Sequence, residues 1–267
     1  MLEIQKVDLT SFCYLNKDRY PFLLESVNHN ENNRYSILFA FPGENIILKD
    51  FSDFDFLKEL QYKSKSTTLN SDLPFIGGWF VYLSYELIGQ IEQTLASKLH
   101  KSKLPIAYAV QMPSAIIIDH KLDKTFIIDQ DNNKSRINLI LSDIKHLSKI
   151  PTQRIQGSQS EELEKKFING VKSSLDYIIA GDVFQVNLSR KWQYDLTKKT
   201  DSALIYNALK KANPAPFSAL IQYDNFSIIS SSPERLFSVN DKVLETRPIA
   251  GTHPRGKGDL DKAQKDN

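Results

Sequence analysis

The alternation of apolar and polar residues predicts strands in much of the chain. Tyr35–Ala40 and Asn45–Leu48 are short β-rich runs separated by the turn pair Pro42-Gly43. The apolar runs 114–119 and 124–129 flank a four-residue segment, which is typical of a β-hairpin. Four later runs of the same character predict further strands: 183–192, 217–222, 226–231 and 242–246.

Apolar residues spaced three or four positions apart predict three helices, in 133–147, in the segment after 158, and in 202–212. For the second helix, Ser158 and Glu161 fit a capping box at its start, and Gly181 is placed to end it. Its apolar stripe consists of Leu163, Phe167, Val171, Leu175 and Ile178. Strands grouped with a few long helices predict the α+β class. The polar stretch 150–159 resembles a linker and suggests a division into regions 1–150 and 151–267.

The composition is that of an ordinary globular protein, with 41% apolar and 25% charged residues. The net charge of +2 gives no electrostatic reason to expect a nucleic acid or an anionic membrane as partner. The apolar runs are far too short to span a bilayer. The chain has a single cysteine, Cys13, and no apolar secretory segment at its start, so we expect a cytoplasmic location.

Glu234 is a candidate catalytic residue because it follows Pro233 at the end of an apolar run. A carboxylic acid held partly out of water there would suit general acid catalysis. From these residues alone, a plain turn with a surface Glu–Arg pair is the favoured interpretation.

Two other segments have chemistry-bearing side chains. The Pro/Gly-rich loop 246–256 contains Arg247 and Arg255, whose planar forks suit the carboxylates of a small acid, although an ordinary surface loop has the same make-up. In 180–190, polar and apolar residues alternate, so one face either lines a cavity or meets solvent. The five histidines lack ligand spacing, and no metal site is expected within the chain.

Five segments resemble, in order, the motifs of the chorismate-utilising enzyme family, which includes anthranilate synthase component I and aminodeoxychorismate synthase component I. Three are Gly181-Asp-Val-Phe-Gln-Val-Asn-Leu-Ser189, Ser231-Ser-Pro-Glu-Arg235 and Thr246-Arg-Pro-Ile-Ala-Gly-Thr252. Pro21-Phe-Leu-Leu-Glu-Ser26 and the run 74–86 resemble N-terminal segments of the members that work with an amidotransferase. The resemblance covers essentially the whole chain.

The resemblance implies an α+β chorismate-binding fold of two large packed antiparallel sheets with outer helices. It makes 1–150 the N-terminal region and 151–267 the start of the chorismate-binding catalytic region. The polar stretch 256–267 has no closing strand or helix, so we expect the C-terminal part of the fold to be absent. The family's Mg²⁺ ligands would then lie beyond Asn267, and the chain alone would be inactive and poorly stable.

Residues that differ between branches of the family support two interpretations. Asn187 and 213–219 are similar to the aminodeoxychorismate branch, which implies amination of chorismate to 4-amino-4-deoxychorismate with ammonia from a glutamine amidotransferase subunit. Ala250 is similar to the anthranilate branch, because the other branch has a lysine there that attacks the substrate ring. A truncated, non-catalytic binding module is a hypothesis of another class.

The resemblance also implies roles for individual residues. Glu234 matches the general acid for departure of the C4 hydroxyl, and Ala250 stands at the nucleophile position. Gly251 and Thr252 match residues that hold a substrate carboxylate. A pocket that binds tryptophan in relatives is matched by Glu25, Ser26, Asn213, Pro214, Ala215, Pro216 and Phe217.

Overall fold

The computed structural model describes residues 1–28, 33–64, 71–99, 102–240 and 242–249. Its strands are β1 (Leu2–Ile4), β2 (Phe22–Glu25), β3 (Tyr35–Ala40), β4 (Asn45–Leu48), β5 (Gly78–Leu83), β6 (Ala107–Met112), β7 (Ser114–Asp119), β8 (Lys124–Asp129), β9 (Gly157–Glu161), β10 (Trp192–Leu196), β11 (Phe217–Tyr223), β12 (Phe226–Ser232), β13 (Ser238–Asn240) and β14 (Val243–Glu245). The α-helices are α1 (Leu9–Leu15), α2 (Phe56–Lys63), α3 (Ile88–Ile91), α4 (Lys134–His146), α5 (Glu164–Ala180) and α6 (Ser202–Ala212).

A seven-stranded antiparallel sheet forms the centre of the fold, in the order β1-β8-β7-β3-β2-β11-β12. Strands β11 and β12 therefore extend a sheet that the first 129 residues begin, and the sequence division at residue 150 stays a prediction. A three-stranded sheet, β4-β6-β5, packs against this sheet through aromatic side chains, with the rings of Phe22 and Phe80 stacked at 4.1 Å. The α+β class with large antiparallel sheets is confirmed.

The other face of the seven-stranded sheet is covered by α1, α4 and α6. Alternate strand residues point to this face because side chains alternate across a strand. Leu23, Leu38, Ile116, Ile127 and Leu220 are all fully buried there. Burial stabilises the fold by about 1.5 to 3 kcal/mol for each such side chain. We call this group, with the helices above it, the sheet core.

Elements specified by local sequence formed where they were predicted. The β7–β8 hairpin pairs Ser114 with Asp129 and Asp119 with Lys124, as the two apolar runs indicate. Helix α4 begins at the predicted place, where the side chain of Asn133 accepts hydrogen bonds from the first backbone N–H groups. Gly181 ends α5 in the left-handed conformation, with φ of 83°.

Three predictions between residues 150 and 192 were wrong. Ser158 and Glu161 do not cap a helix, because both lie in β9, which pairs with β10 and delays the start of α5 to Glu164. The same pairing makes the end of the predicted linker a strand. The predicted strand 183–192 is irregular up to residue 191, and β10 begins at Trp192.

Candidate active site

Glu234 lies just past the end of β12, and the hydroxyl of Ser232 contacts its backbone on both sides. Ser232 Oγ accepts a hydrogen bond from the N–H of Glu234 at 3.2 Å and donates to its carbonyl at 3.1 Å. Pro233 lies between them and restricts the backbone further. The Glu234 side chain is exposed, so the expectation that this carboxylic acid is held partly out of water was wrong for this chain. The carboxylate therefore projects into solvent from a locally fixed backbone.

The loop after β14 reaches back to Glu234. The backbone N–H of Ile249 donates to Glu234 Oε1 at 3.1 Å. Thr246 Oγ1 donates to the carbonyl of Leu236 at 2.9 Å, and Arg235 pairs with Glu245 at 3.2 Å. These contacts place the carboxylate and residues 246–249 on one surface. Arg247 is exposed and lies 3.6 Å from Glu245.

Ala250, Gly251, Thr252 and Arg255 lie outside the described residues. Their predicted roles at the nucleophile position and at a substrate carboxylate stay predictions.

Segment 180–190 is exposed on both of its faces. Gln185, Asn187 and Ser189 all meet solvent, and the amide of Gln185 donates to the Asn187 side chain at 3.2 Å. Phe184, from the apolar set, is fully exposed as well. The alternation in this segment therefore does not separate a buried face from a solvent face.

The structure brings together the two parts of the predicted tryptophan pocket. Strand β2 pairs with β11, so that Glu25 lies opposite Ser218. The backbone N–H groups of Val27 and Asn28 both donate to the carbonyl of Ala215, at 3.1 and 3.3 Å. The side chain of Ser26 is buried and donates to the carbonyl of Tyr35.

The remaining residues of the predicted pocket include one that contacts β12. The carbonyl of Asn213 accepts a hydrogen bond from Ser231 Oγ at 2.5 Å. Ala215 is buried, Pro216 and Phe217 are half-buried, and Pro214 is exposed. Binding of tryptophan by this set stays a prediction.

Sequence patterns did not predict the side chains that contact Glu25 within the fold. Lys210 lies 3.2 Å from the Glu25 carboxylate and donates to Thr10 Oγ1 at 2.6 Å. The hydroxyl of Tyr206 donates to the same carboxylate at 2.7 Å. Burial, followed by the charge of Glu25, raises the pKa of Tyr206 above its usual range. Lys210 and Glu25 are 185 residues apart in the chain, and no local pattern links them.

Cys13 is buried beside this cluster as a free thiol. Burial, and then the nearby charge of Glu25, raises the pKa of the thiol. Because the thiolate is the nucleophilic form, this cysteine is a core residue and not a reactive one.

No group of three or more His, Cys, Asp or Glu side chains in the described part of the chain is placed to hold a metal ion. Among the same residues, none of the helices is both long and apolar enough to cross a bilayer.

Comparison with known families identifies the chain. Residues 19–267 match the family model described as chorismate binding enzyme. The chain belongs to this family. The match begins after α1 and includes the seven-stranded sheet from β2 onward as well as the Glu234 segment.

The curated relatives of this chain include two kinds of synthase. Anthranilate synthase component 1 of Lactococcus lactis is 29% identical over 92% of this chain and 59% of the relative. Aminodeoxychorismate synthase component 1 of Bacillus subtilis is 30% identical over 90% of this chain and 56% of the relative. The chain spans about half the length of the curated relatives that it matches.

A solved structure supports the fold. Anthranilate synthase component I of Streptococcus pneumoniae superimposes with a TM-score of 0.66 at 21% identity. The superposition covers 81% of this chain and 54% of the other. At this identity the likeness concerns the fold alone.

Proposed function

We propose that the complete protein containing this chain aminates chorismate to 4-amino-4-deoxychorismate, with ammonia supplied by a glutamine amidotransferase subunit. Membership of the chorismate binding enzyme family and the likeness to a synthase with the aminodeoxychorismate name support the proposal. Asn187 and the segment 213–219 favour this branch over the anthranilate branch. The observation that carries the proposal is the hydrogen bond that joins Glu234 to the 246–249 loop.

In this proposal Glu234 is the general acid. Its Oε1 accepts the Ile249 N–H, while Oε2 receives no hydrogen bond from any described residue and is the oxygen open to a substrate. The protonated carboxyl gives its proton to the C4 hydroxyl, the C–O bond breaks, and water leaves. Ammonia forms the C–N bond and releases a proton, which restores the acid. Gly251 and Thr252 would hold a substrate carboxylate.

Anthranilate synthesis is the second candidate, and Ala250 favours it. Alanine cannot attack the substrate ring, so an aminodeoxychorismate product requires direct addition of ammonia or a nucleophile from elsewhere in the protein. The likeness to an anthranilate synthase component 1 points the same way. Chromatography of the products formed by the complete protein from chorismate and an ammonium salt separates the two functions.

Three further parts of the proposal concern the surroundings of the reaction. We expect Mg²⁺ to bind ligands outside this chain, and the reaction to take place in the cytoplasm. Tryptophan is the expected ligand of the Glu25 segment. Calorimetric titration of the complete protein with tryptophan tests the last of these, and a lack of heat would remove it.

The role of Glu234 is tested by Glu234→Gln in the complete protein. Loss of the transferable proton should lower kcat by about 100-fold or more, in the range typical of a general acid. Glu164→Gln is the control, because this glutamate is exposed in the first turn of α5 and lies outside the Glu234 segment and the 246–249 loop. Equal activity of the two variants would rule out the proposed role.

A further inference from the structure

Three consecutive serines end β12, and their contacts differ. Ser231 Oγ donates away from the Glu234 segment, to the carbonyl of Asn213. Ser232 Oγ bonds to both backbone groups of Glu234. Ser230, which lies opposite Ala219, belongs to the β11–β12 ladder. Neighbouring residues of one type therefore contact different parts of the molecule.

Glu234 is restrained at two points. Its backbone is held by the Ser232 hydroxyl, and its carboxylate is held by the Ile249 N–H. The two restraints come from different segments, β12 and the loop after β14. If the backbone restraint is lost, a single exposed hydrogen bond remains to orient the carboxyl group.

We propose that Ser232 is a positioning residue for Glu234, which fixes the backbone from which the acid reaches the substrate. The inference rests on the proposed function of Glu234 as general acid. Ser232 itself exchanges no proton with the substrate. Its hydroxyl restricts the backbone of Glu234. With Oε1 bound to the Ile249 N–H, Oε2 then points in one direction, toward the substrate.

The cost of losing this restraint should appear in kcat. A displacement of about 1 Å at a reacting group can lower a rate by up to about 100-fold. Because the Ser232 contacts are exposed, their removal should change stability very little. A structural role would instead lower the unfolding temperature together with the amount of active protein.

The test compares Ser232→Ala, Ser232→Thr and Ser231→Ala in the complete protein, with ammonium as the nitrogen source. We expect Ser232→Ala to lower kcat about tenfold, with KM changed less than about twofold. Threonine retains the hydroxyl and should restore kcat to within about threefold of the original protein. Ser231→Ala removes an exposed hydrogen bond of the same kind and should leave kcat unchanged. Equal values of kcat for the two alanine variants would overturn the inference.

A double variant distinguishes failure of the inference from failure of the proposed function. If Ser232 acts only through Glu234, adding Ser232→Ala to Glu234→Gln should lower kcat no further. A further tenfold loss in the double variant would overturn the positioning role. Full activity of Glu234→Gln would overturn both the general acid and its positioning residue. Loss of activity in Glu234→Gln together with normal kcat in Ser232→Ala would overturn the positioning role alone.

Discussion

The sheet core and the family motifs that follow residue 150 differ in burial. Leu23, Leu38, Ile116 and Ile127 are fully removed from solvent between the seven-stranded sheet and its helices. In contrast, no described residue between 151 and 200, or between 223 and 249, is buried. Helix α5 has a clear apolar stripe, yet Leu175 and Ile178 on it are exposed.

The difference separates what stabilises this chain from what the family motifs after residue 150 contribute. The sheet core has the buried apolar area that stabilises a fold. The Glu234 segment and the loop 246–249 have chemistry-bearing groups linked by exposed hydrogen bonds. We therefore expect substitutions to affect stability in the first region and activity in the second.

The largest contrast is expected between two leucines that are both changed to alanine. Leu38→Ala creates a cavity in the sheet core and should reduce the free energy of unfolding by about 3 kcal/mol. Leu175→Ala removes an exposed side chain from α5 and should change it by less than about 0.5 kcal/mol. Urea unfolding at pH 7 measures both. Similar losses would mean that α5 is packed in solution, contrary to the comparison.

The second contrast concerns two lysines, each paired with a glutamate. Lys210 and Glu25 side chains are 14% and 15% exposed, so Lys210→Met leaves a largely buried carboxylate without its cation. We expect a loss of about 2 kcal/mol, below the value for fully buried pairs because some solvent remains. The exposed Lys166 on α5 is the control. It pairs with Glu162, which lies just before the helix, and Lys166→Met should cost less than about 0.5 kcal/mol.

A double variant checks the cause of the Lys210 effect. Glu25→Gln removes the charge that Lys210→Met leaves unpaired, so the combination should recover part of the lost stability. Additive losses in urea unfolding would show that Lys210 stabilises the fold through packing alone.

The smallest contrast is expected in how the unfolding midpoint changes at acidic pH. Arg34 lowers the pKa of the buried Asp119, although burial opposes the shift. A lowered pKa in the folded state contributes stability above the unfolded value of about 3.9, and this stability is lost as pH falls through the folded value. Asp119→Asn should therefore flatten the decline in unfolding midpoint between pH 6 and pH 3.

The control for the acid experiment is an ion pair in the exposed region around α5. Lys166 lowers the pKa of Glu162, but this pair is screened by solvent. Glu162→Gln should leave the pH dependence close to that of the original protein. A larger effect for Glu162 than for Asp119 would contradict the assignment of stability to the sheet core.

The parts of the fold that sequence patterns predict are those specified by local residues. The β7–β8 hairpin and the helices α4 and α6 depend on neighbours in the chain, and they formed at the predicted positions. The predicted strand 183–192 was wrong because period-two alternation does not supply a partner strand. Strand β9, a polar segment, formed because β10 pairs with it.

For the candidate site, the roles of Glu234 and of the loop 246–252 stay predictions. The structure shows one contact between their described parts, the hydrogen bond from the Ile249 N–H to Glu234. The hydrogen bonds from the Ser232 hydroxyl to the Glu234 backbone are local, but a serine before a proline is too common for the sequence to predict them. Lys210 and Tyr206 were missed, because their contact with Glu25 forms only after the chain has folded.

The position of β2 has a consequence for biosynthesis. Its edge is covered by β11, and the neighbouring contact from Lys210 to Glu25 already spans 185 residues. At typical translation rates of about 5 to 20 residues per second, this edge waits roughly 10 to 40 s for its partner strand to be synthesised. During that interval a nascent chain presents open backbone groups beside an apolar surface, and pairing between neighbouring ribosomes becomes a competing route.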